Sequence, residues 1–268
     1  MTSPHLPASW FKPVARIGYA SRGVVYVVIG TFALLAALGP APNKDSEGAL
    51  QVLLGQPFGR TMVVMMIAGL AGYVAWRLVQ SLLDTDDHGW SAQGIAIRGG
   101  LLGSAFTHGA LALYAASLLG LVGAGDEGGP SLADRIAALF GTTPLLVVMG
   151  LTFAGVGIAH VAKAVRRRYA DHFDASARVM RIVHPVSIIG LSARGVLWGV
   201  VALLLAKRVW DKTPDENEPP GVGDALSYLQ GLPAGQWLLG AAGVGLLLFA
   251  GYSFSEAIWR RINVEDAG

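Results

Sequence analysis

GYASRGVVYVVIG, residues 18–30, places an arginine between two glycines at the start of an apolar run, and GLSARGVLWGVVA, residues 190–202, repeats that arrangement. Arg22 and Arg194 are 172 residues apart, and His108 in SAFTHGALA lies halfway between them. The other equivalent positions in the two stretches are Gly18 with Gly190 and Tyr26 with Trp198. Self-similarity at a fixed period indicates a repeated structural unit.

Other parts of the chain follow the same period. Gly55 and Gly141 are 86 residues apart, and so are Arg77 and Lys163. The sequence therefore predicts one domain, residues 1–268, that contains three repeats. Their predicted ranges are 13–88, 98–174 and 185–262.

The composition is typical of a membrane protein. Apolar residues make up 53% of the 268 residues and charged residues only 14%, whereas a soluble domain is about a quarter charged. Six apolar runs are each close to the ~20 residues that cross a bilayer as a helix. They cover roughly 17–38, 61–83, 99–122, 144–165, 188–207 and 236–258. The predicted fold class is an all-α integral membrane protein with six transmembrane helices, two in each repeat.

Two helices per repeat keep the repeats in one orientation, so we expect three parallel hairpins around a pseudo-threefold axis along the membrane normal. Gly195 with Gly199, and Gly99 with Gly103, form small-xxx-small patterns that favour close helix packing in lipid. A short segment before the second helix of each repeat is predicted as an interfacial helix. These segments are EGALQVLLGQPFGR, PSLADRIAALFGTTP and VGDALSYLQGLPAGQ.

The basic residues indicate an orientation in the membrane rather than nucleic-acid binding. The pI is near 9.0, but most of the 20 Lys and Arg residues lie nearest to span ends on the membrane side that holds the N-terminus. By the positive-inside rule we expect both termini in the cytoplasm and no nucleic-acid partner. Lys12, Arg16 and Arg22 before an apolar run also resemble a secretory signal. That run is longer than a usual signal core and recurs at 190–202, which argues against the signal.

Three stretches of the first repeat resemble a known family: ARIGYASRGVVYVVIG, GALQVLLGQPFGR and GLAGYVAWRLVQSLLD, residues 15–30, 48–60 and 69–84. The chain resembles the bacterial membrane family catalogued as domain of unknown function 1206, from about Pro13 to Arg261. The middle repeat departs from the pattern, with His108 in place of the arginine and GTTPL in place of the Gly-x-Pro-x-Gly turn. The resemblance implies a three-hairpin topology and a bacterial inner (plasma) membrane, and it implies no activity.

Arg22 and Arg194 are the central candidates for a site. Each shares one helix face with residues four positions before and after it. One interpretation is that they anchor to lipid headgroups or form packing pairs. The other is a ligand or ion site, because an arginine inside a membrane is costly and functional by default. The candidate polar or packing site comprises Gly18, Arg22, Tyr26, His108, Gly190, Arg194, Trp198 and Glu256.

Glu256 is the best candidate for an intramembrane carboxylate, although a local i, i+4 pair with Arg260 is the simpler interpretation. His108 and His160 are the histidines inside predicted spans, and no carboxylate stands at ligand spacing from them. With no cysteine in the chain, thiolate ligation is also excluded, so we expect no metal and no cofactor. The sequence lacks nucleophile-elbow, P-loop and His-Glu-x-x-His motifs, so we expect no enzyme activity.

The loops and span ends suggest contacts with lipid. Arg166, Arg167 and Arg168 are expected to contact anionic headgroups at the cytoplasmic face, each basic residue contributing ~1 kcal/mol. The alternative is that they only fix the topology. Aromatic residues near span ends are predicted to lie at headgroup depth. They are Tyr73, Trp76, Trp90, Trp210, Trp237 and Trp259.

Two functions are compatible with these patterns. The favoured one is a non-catalytic membrane-embedded interaction, accessory or lipid-organising protein, whose partners are lipid and other membrane proteins. The alternative is a transporter or channel for a small solute or ion along the pseudo-threefold axis. Substrate paths normally need polar groups at mid-depth, and the centres of the six runs carry only scattered Thr and Tyr.

Overall fold

The structure, a computed structural model, describes residues 8–39, 46–86, 88–122, 138, 139, 141–212 and 219–262. Within these residues the chain is helical. Six long helices have the length and apolar composition to cross a membrane, as the sequence predicts. The helices are α1 (Ala8–Leu38), α2 (Ser46–Leu54), α3 (Gly59–Leu83), α4 (Ala92–Leu118), α5 (Thr142–Val165), α6 (Ala177–Trp210), α7 (Val222–Gly231) and α8 (Gly235–Trp259).

Three helices, α1, α4 and α6, begin well before the apolar runs that predict them, and a serine caps two of the three. Ser91 caps α4 by accepting a hydrogen bond of 3.0 Å from the backbone N–H of Gly94. Ser176 caps α6 in the same way, with the N–H of Val179 at 3.4 Å. A capping serine satisfies an unpaired N–H, so helix formation continues outside the apolar run and the predicted spans are too short at these ends.

Two of the three predicted interfacial helices are α2 and α7, and the middle one falls largely outside the described residues. Both helices pack against their neighbouring long helices through one apolar side. Ala49 and Leu50 are buried in α2, and Ala225 and Leu226 are buried in α7. Each short helix lies in the chain between the two long helices of its hairpin, so both cover the same end of their hairpins. The buried side of each is its apolar side.

The six long helices pack in an arc whose spatial order is α4, α3, α1, α8, α6, α5. The core lies around α8 and α1, where 50% and 44% of the most apolar window is buried, against 11% in α5. Between the described parts of α4 and α5, the two ends of the arc, there is no comparable interface. The sequence predicts that α4 and α5 pack together as the middle hairpin. In the structure the arc is open between their described parts.

The first and third repeats make equivalent contacts. A Cβ added to Gly18 of α1 would lie 2.6 Å from the Tyr73 Cα of α3, and one added to Gly190 of α6 would lie 2.6 Å from the Phe249 Cα of α8. The residues before α3 and α8, Phe58 and Ala234, also share a left-handed backbone, with φ of 61° and 60°. The middle repeat has no matching helix pair, so the threefold arrangement stays a prediction.

Candidate functional site

Arg22 lies inside the helix bundle and does not reach towards a headgroup. It is 4% exposed and is held by three side chains from two other helices. Its Nε donates to Ser253 Oγ at 3.1 Å, its Nη1 donates to the Tyr73 hydroxyl at 2.7 Å, and its Nη2 forms an ion pair with Glu256. Snorkelling is therefore the wrong interpretation of Arg22, and it is a buried pair.

Glu256 also makes the local pair that the sequence suggests, so one carboxylate serves two arginines. Its other oxygen, Oε1, accepts from Arg260 Nη1 at 3.0 Å. Arg260 in turn donates to Asp86 Oδ2, also at 3.0 Å. The chain of ion pairs runs from the interior of α1 to the loop after α3.

A second chain of hydrogen bonds closes this path into a ring. Arg77 donates to the Tyr73 hydroxyl at 2.6 and 2.8 Å and to Gln80 Oε1 at 2.8 Å. Gln80 Nε2 then donates to Asp86 Oδ2 at 2.8 Å. We call this ring the closed network. Its seven members are Arg22, Tyr73, Arg77, Gln80, Asp86, Arg260 and Glu256.

Asp86, in the loop after α3, and Arg260, after α8, are the members of the closed network that lie beside the loop before α6. Phe173, in the loop before α6, pairs with Arg260 as an isolated β-bridge, and His172 Nδ1 lies 3.7 Å from Asp86 Oδ1. Burial, and after it the charge of Arg260, lower the pKa of His172 to about 4, although Asp86 opposes this shift. Burial alone would raise the pKa of Asp86, but Arg260 holds it below its ordinary value. At neutral pH the end of the bundle thus has a charged Asp86 beside a neutral His172.

The three equivalent positions of the repeats line one cavity of about 240 Å³, which we call the central cavity. Arg22 comes from α1, His108 from α4 and Arg194 from α6, so the first helix of each repeat contributes one of them. Tyr26 and Trp198 line it as well. The sequence alone predicts their equivalence, and the structure brings all five side chains to one place.

His108 and Arg194 differ from Arg22 in their partners. His108 Nδ1 donates to the Ser104 carbonyl at 2.8 Å, and its ring lies 4.6 Å from that of Tyr73. The Arg194 guanidinium lies over the rings of Phe249 and Tyr26, at 4.5 and 4.8 Å. Among the described residues Arg194 forms no ion pair. The three residues therefore line one cavity but differ in their chemistry.

Sequence reasoning missed four members of the closed network. They are Tyr73, Arg77, Gln80 and Asp86. The sequence predicts headgroup depth for Tyr73, but Tyr73 is 1% exposed. Outside the network the same prediction is wrong for Trp76, which is also 1% exposed and donates to the Tyr19 hydroxyl at 2.9 Å. By contrast, Trp90, Trp210 and Trp237 are exposed. The recurrence of Arg77 as Lys163 was a usable signal, because basic residues inside two spans need partners. Gln80 and Asp86 gave no signal that distinguishes them from surface residues.

The remaining predicted residues lie apart from the central cavity. Arg166, Arg167 and Arg168 are exposed, and contact with lipid headgroups stays a prediction for them. Of the small-xxx-small pairs, Gly195 packs against Gly157, whereas Gly99 and Gly103 face open space. Among the residues that the structure describes, no group of three or more His, Cys, Asp or Glu could hold a metal ion.

The six apolar helices and the buried ion pairs between them place the chain in a class of protein: helical membrane proteins with a charged core. The sequence profile of the family described as Domain of Unknown Function (DUF1206) matches residues 17–84 and 189–260, the first and third repeats. The chain belongs to this family. It is also similar to the "Uncharacterized protein YxxB" of Bacillus subtilis (strain 168), 30% identical over 262 residues, which cover 96% of this chain and 94% of that protein. No solved structure matches the chain.

Proposed function

We propose that the chain is a non-catalytic accessory or lipid-organising protein of the bacterial inner membrane, with both termini in the cytoplasm. One observation carries the proposal: three buried charged residues of the bundle pair with one another. Arg22, Glu256 and Arg260 are each at most 4% exposed and hold α1 to α8, while Tyr73 and Arg77 extend the contact to α3. Such paired charges stabilise one arrangement of the helices.

The outer surfaces of the arc support the same function. The helices at its two ends expose large apolar side chains, among them Leu113 of α4 and Leu151 of α5, at 63% and 70% exposure. Surfaces of this kind suit lipid tails or the helices of another membrane protein. The exposed arginines at 166–168 would add attraction to anionic headgroups at the cytoplasmic face.

Cysteine accessibility tests the proposal, and the absence of native cysteine makes it simple. Single cysteines along 18–34 and 190–206 are treated in membranes with a water-soluble thiol reagent, with Trp90→Cys as the exposed control. The proposal predicts protection beyond Tyr26 and Trp198. A continuous labelled stripe that reaches Thr31 and Ala202 would contradict it.

Transport is the second candidate, and the central cavity is the observation that favours it. It brings polar residues of three helices together inside the bundle, as a solute site requires. The labelled stripe that contradicts the accessory role would support this candidate. Orientation is tested separately by a reporter fused after Gly268, which we expect in the cytoplasm; a reporter outside the cell would refute that orientation.

A further inference from the structure

We propose that the central cavity binds the oxyanion of a monoanionic ligand, a carboxylate or a phosphate monoanion, through Arg194 and Trp198. This inference goes beyond the accessory role and holds equally for a carrier. It stands on the charge that lines the cavity, on unpaired donors in its wall, and on the size and polarity of the space.

Arg194 is a cation of the central cavity that no described ion pair compensates. Arg22 pairs with Glu256, and Arg260 pairs with Glu256 and Asp86, whereas Arg194 has no ion pair among the residues that the structure describes. Its guanidinium is covered by Phe249 and Tyr26, and an aromatic face contributes only ~0.5–2 kcal/mol. Arg194 is only partly buried, but a cation at a cavity wall that aromatic rings alone compensate is a site for an anion.

Two N–H donors of the cavity wall are unsatisfied. Arg194 Nε and Trp198 Nε1 are both buried without a hydrogen-bond partner. They are four residues apart on α6, so they lie on one helix face, and both residues line the central cavity. An unpaired buried donor costs ~1–3 kcal/mol, and an oxyanion is the acceptor that serves both donors together.

The other walls limit the ligand. Val25, Leu70, Leu111 and Val222 give the cavity an apolar side, and its volume of about 240 Å³ limits the size of the ligand. The exposed side chain of Glu47 on α2 also lines the cavity. A single negative charge with an apolar part therefore fits better than a polyanion.

The same oxyanion chemistry has two sources, a free anion from water and an amphiphile from the bilayer. The test uses the full chain purified in a nonionic detergent, with thermal unfolding as the readout. The probes are inorganic phosphate, acetate, decanoate and the neutral decanol. We expect decanoate to raise the midpoint in a saturable way and decanol to leave it unchanged. A rise with phosphate or acetate alone assigns the site to aqueous anions.

Three variants decide whether Arg194 and Trp198 donate the hydrogen bonds that bind the ligand. Arg194→Gln should weaken binding about tenfold or more, since a hydrogen bond to a charged group contributes ~1.5–3 kcal/mol. Trp198→Phe should weaken it less. Arg181→Gln, which removes an exposed arginine of the same helix, is the matched control and should bind like the unaltered chain.

Folding does not obscure this test. Because Arg194 has no described ion pair to lose, Arg194→Gln should keep the unliganded midpoint of the unaltered chain. If it does not, Trp198→Phe supplies the independent comparison. Equal affinity of Arg194→Gln and Arg181→Gln, binding of decanol as strong as that of decanoate, or no binding of any anion would each overturn the proposal.

Discussion

Glu256 is the residue on which the buried charges of the bundle depend. Its two oxygens accept from Arg22 and Arg260, and all three side chains are almost fully buried. Ionised groups lose their hydration on burial, so each arginine needs the carboxylate more than it would at a surface. The ion pair between Arg22 and Glu256 therefore holds α1 against α8.

Glu256→Gln should lower the free energy of unfolding by about 3–5 kcal/mol, because it leaves the buried Arg22 without a counter-charge and Arg260 with Asp86 alone. Chemical unfolding in detergent, followed by circular dichroism, measures the change. Asp174→Asn is the control, since it removes an exposed carboxylate. The double variant with Arg22→Gln should lose less than the sum of the single losses. A loss no larger than that of the control would refute the role of Glu256.

His172 should make the protein less stable in mild acid. Its pKa is about 4 in the folded chain and about 6.5 when unfolded, so between these values only the unfolded state takes up its proton. Stability therefore falls as the pH drops from about 6.5 to about 4. Asp86 adds no loss in this range, because its pKa lies below the ordinary value.

The measurement for His172 is the unfolding midpoint in detergent at pH 7.5 and pH 5. We expect a smaller acid-induced decrease in His172→Gln than in the unaltered chain. His88→Gln, a change at another loop histidine, serves as the comparison. An equal decrease in all three proteins would show that His172 is not responsible.

At the scale of elements, close contacts between helix backbones distinguish glycines that look alike in the sequence. Gly18 meets the backbone of Tyr73, and Gly190 meets the backbone of Phe249, so neither position has room for a methyl group. Gly99 and Gly103 also follow a pattern associated with close packing, yet nothing lies within 4 Å of a Cβ placed there. The contact, rather than the motif, decides what each glycine does.

Gly18→Ala and Gly190→Ala should each destabilise the protein by about 1–3 kcal/mol, because the helix pair must move apart to admit the methyl group. Gly99→Ala and Gly103→Ala should be neutral or stabilise by up to ~1 kcal/mol, since alanine is the better helix former. Unfolding midpoints of the four variants test this. Similar losses in both pairs would contradict the packing described above.

At the scale of the whole molecule, the open arc leaves α4 and α5 facing outward. In a bilayer those outward faces meet lipid, whereas the sides towards α3 and α6 do not. Leu113 and Ala115 of α4 illustrate the difference, at 63% and 0% exposure, although they are two residues apart.

Leu113→Cys and Leu151→Cys should react with a membrane-soluble maleimide, and Ala115→Cys should react at least tenfold more slowly because it is buried. The experiment uses intact membranes, with the unaltered cysteine-free chain as the blank. Rapid reaction of Ala115→Cys would show that α4 is not packed as the structure has it. Protection of Leu113→Cys and Leu151→Cys would reveal that a protein covers the open side.

The sequence alone determined the six helices, because apolar length is enough to specify a membrane span. It also predicted the equivalence of Arg22, His108 and Arg194 from their spacing, and in the structure all three line one cavity. Helix ends were less predictable, because capping by Ser176 extends α6 beyond its apolar run.

Only the tertiary structure decided which charges pair. Arg22 and Glu256 are 234 residues apart, and no local pattern connects an arginine of α1 with a carboxylate of α8. Tyr73 at a span end looked like a residue of the membrane interface, and packing of α3 against α1 instead made it a buried partner of two arginines. Repetition fixes which positions are alike, whereas packing between distant helices decides what each position contacts.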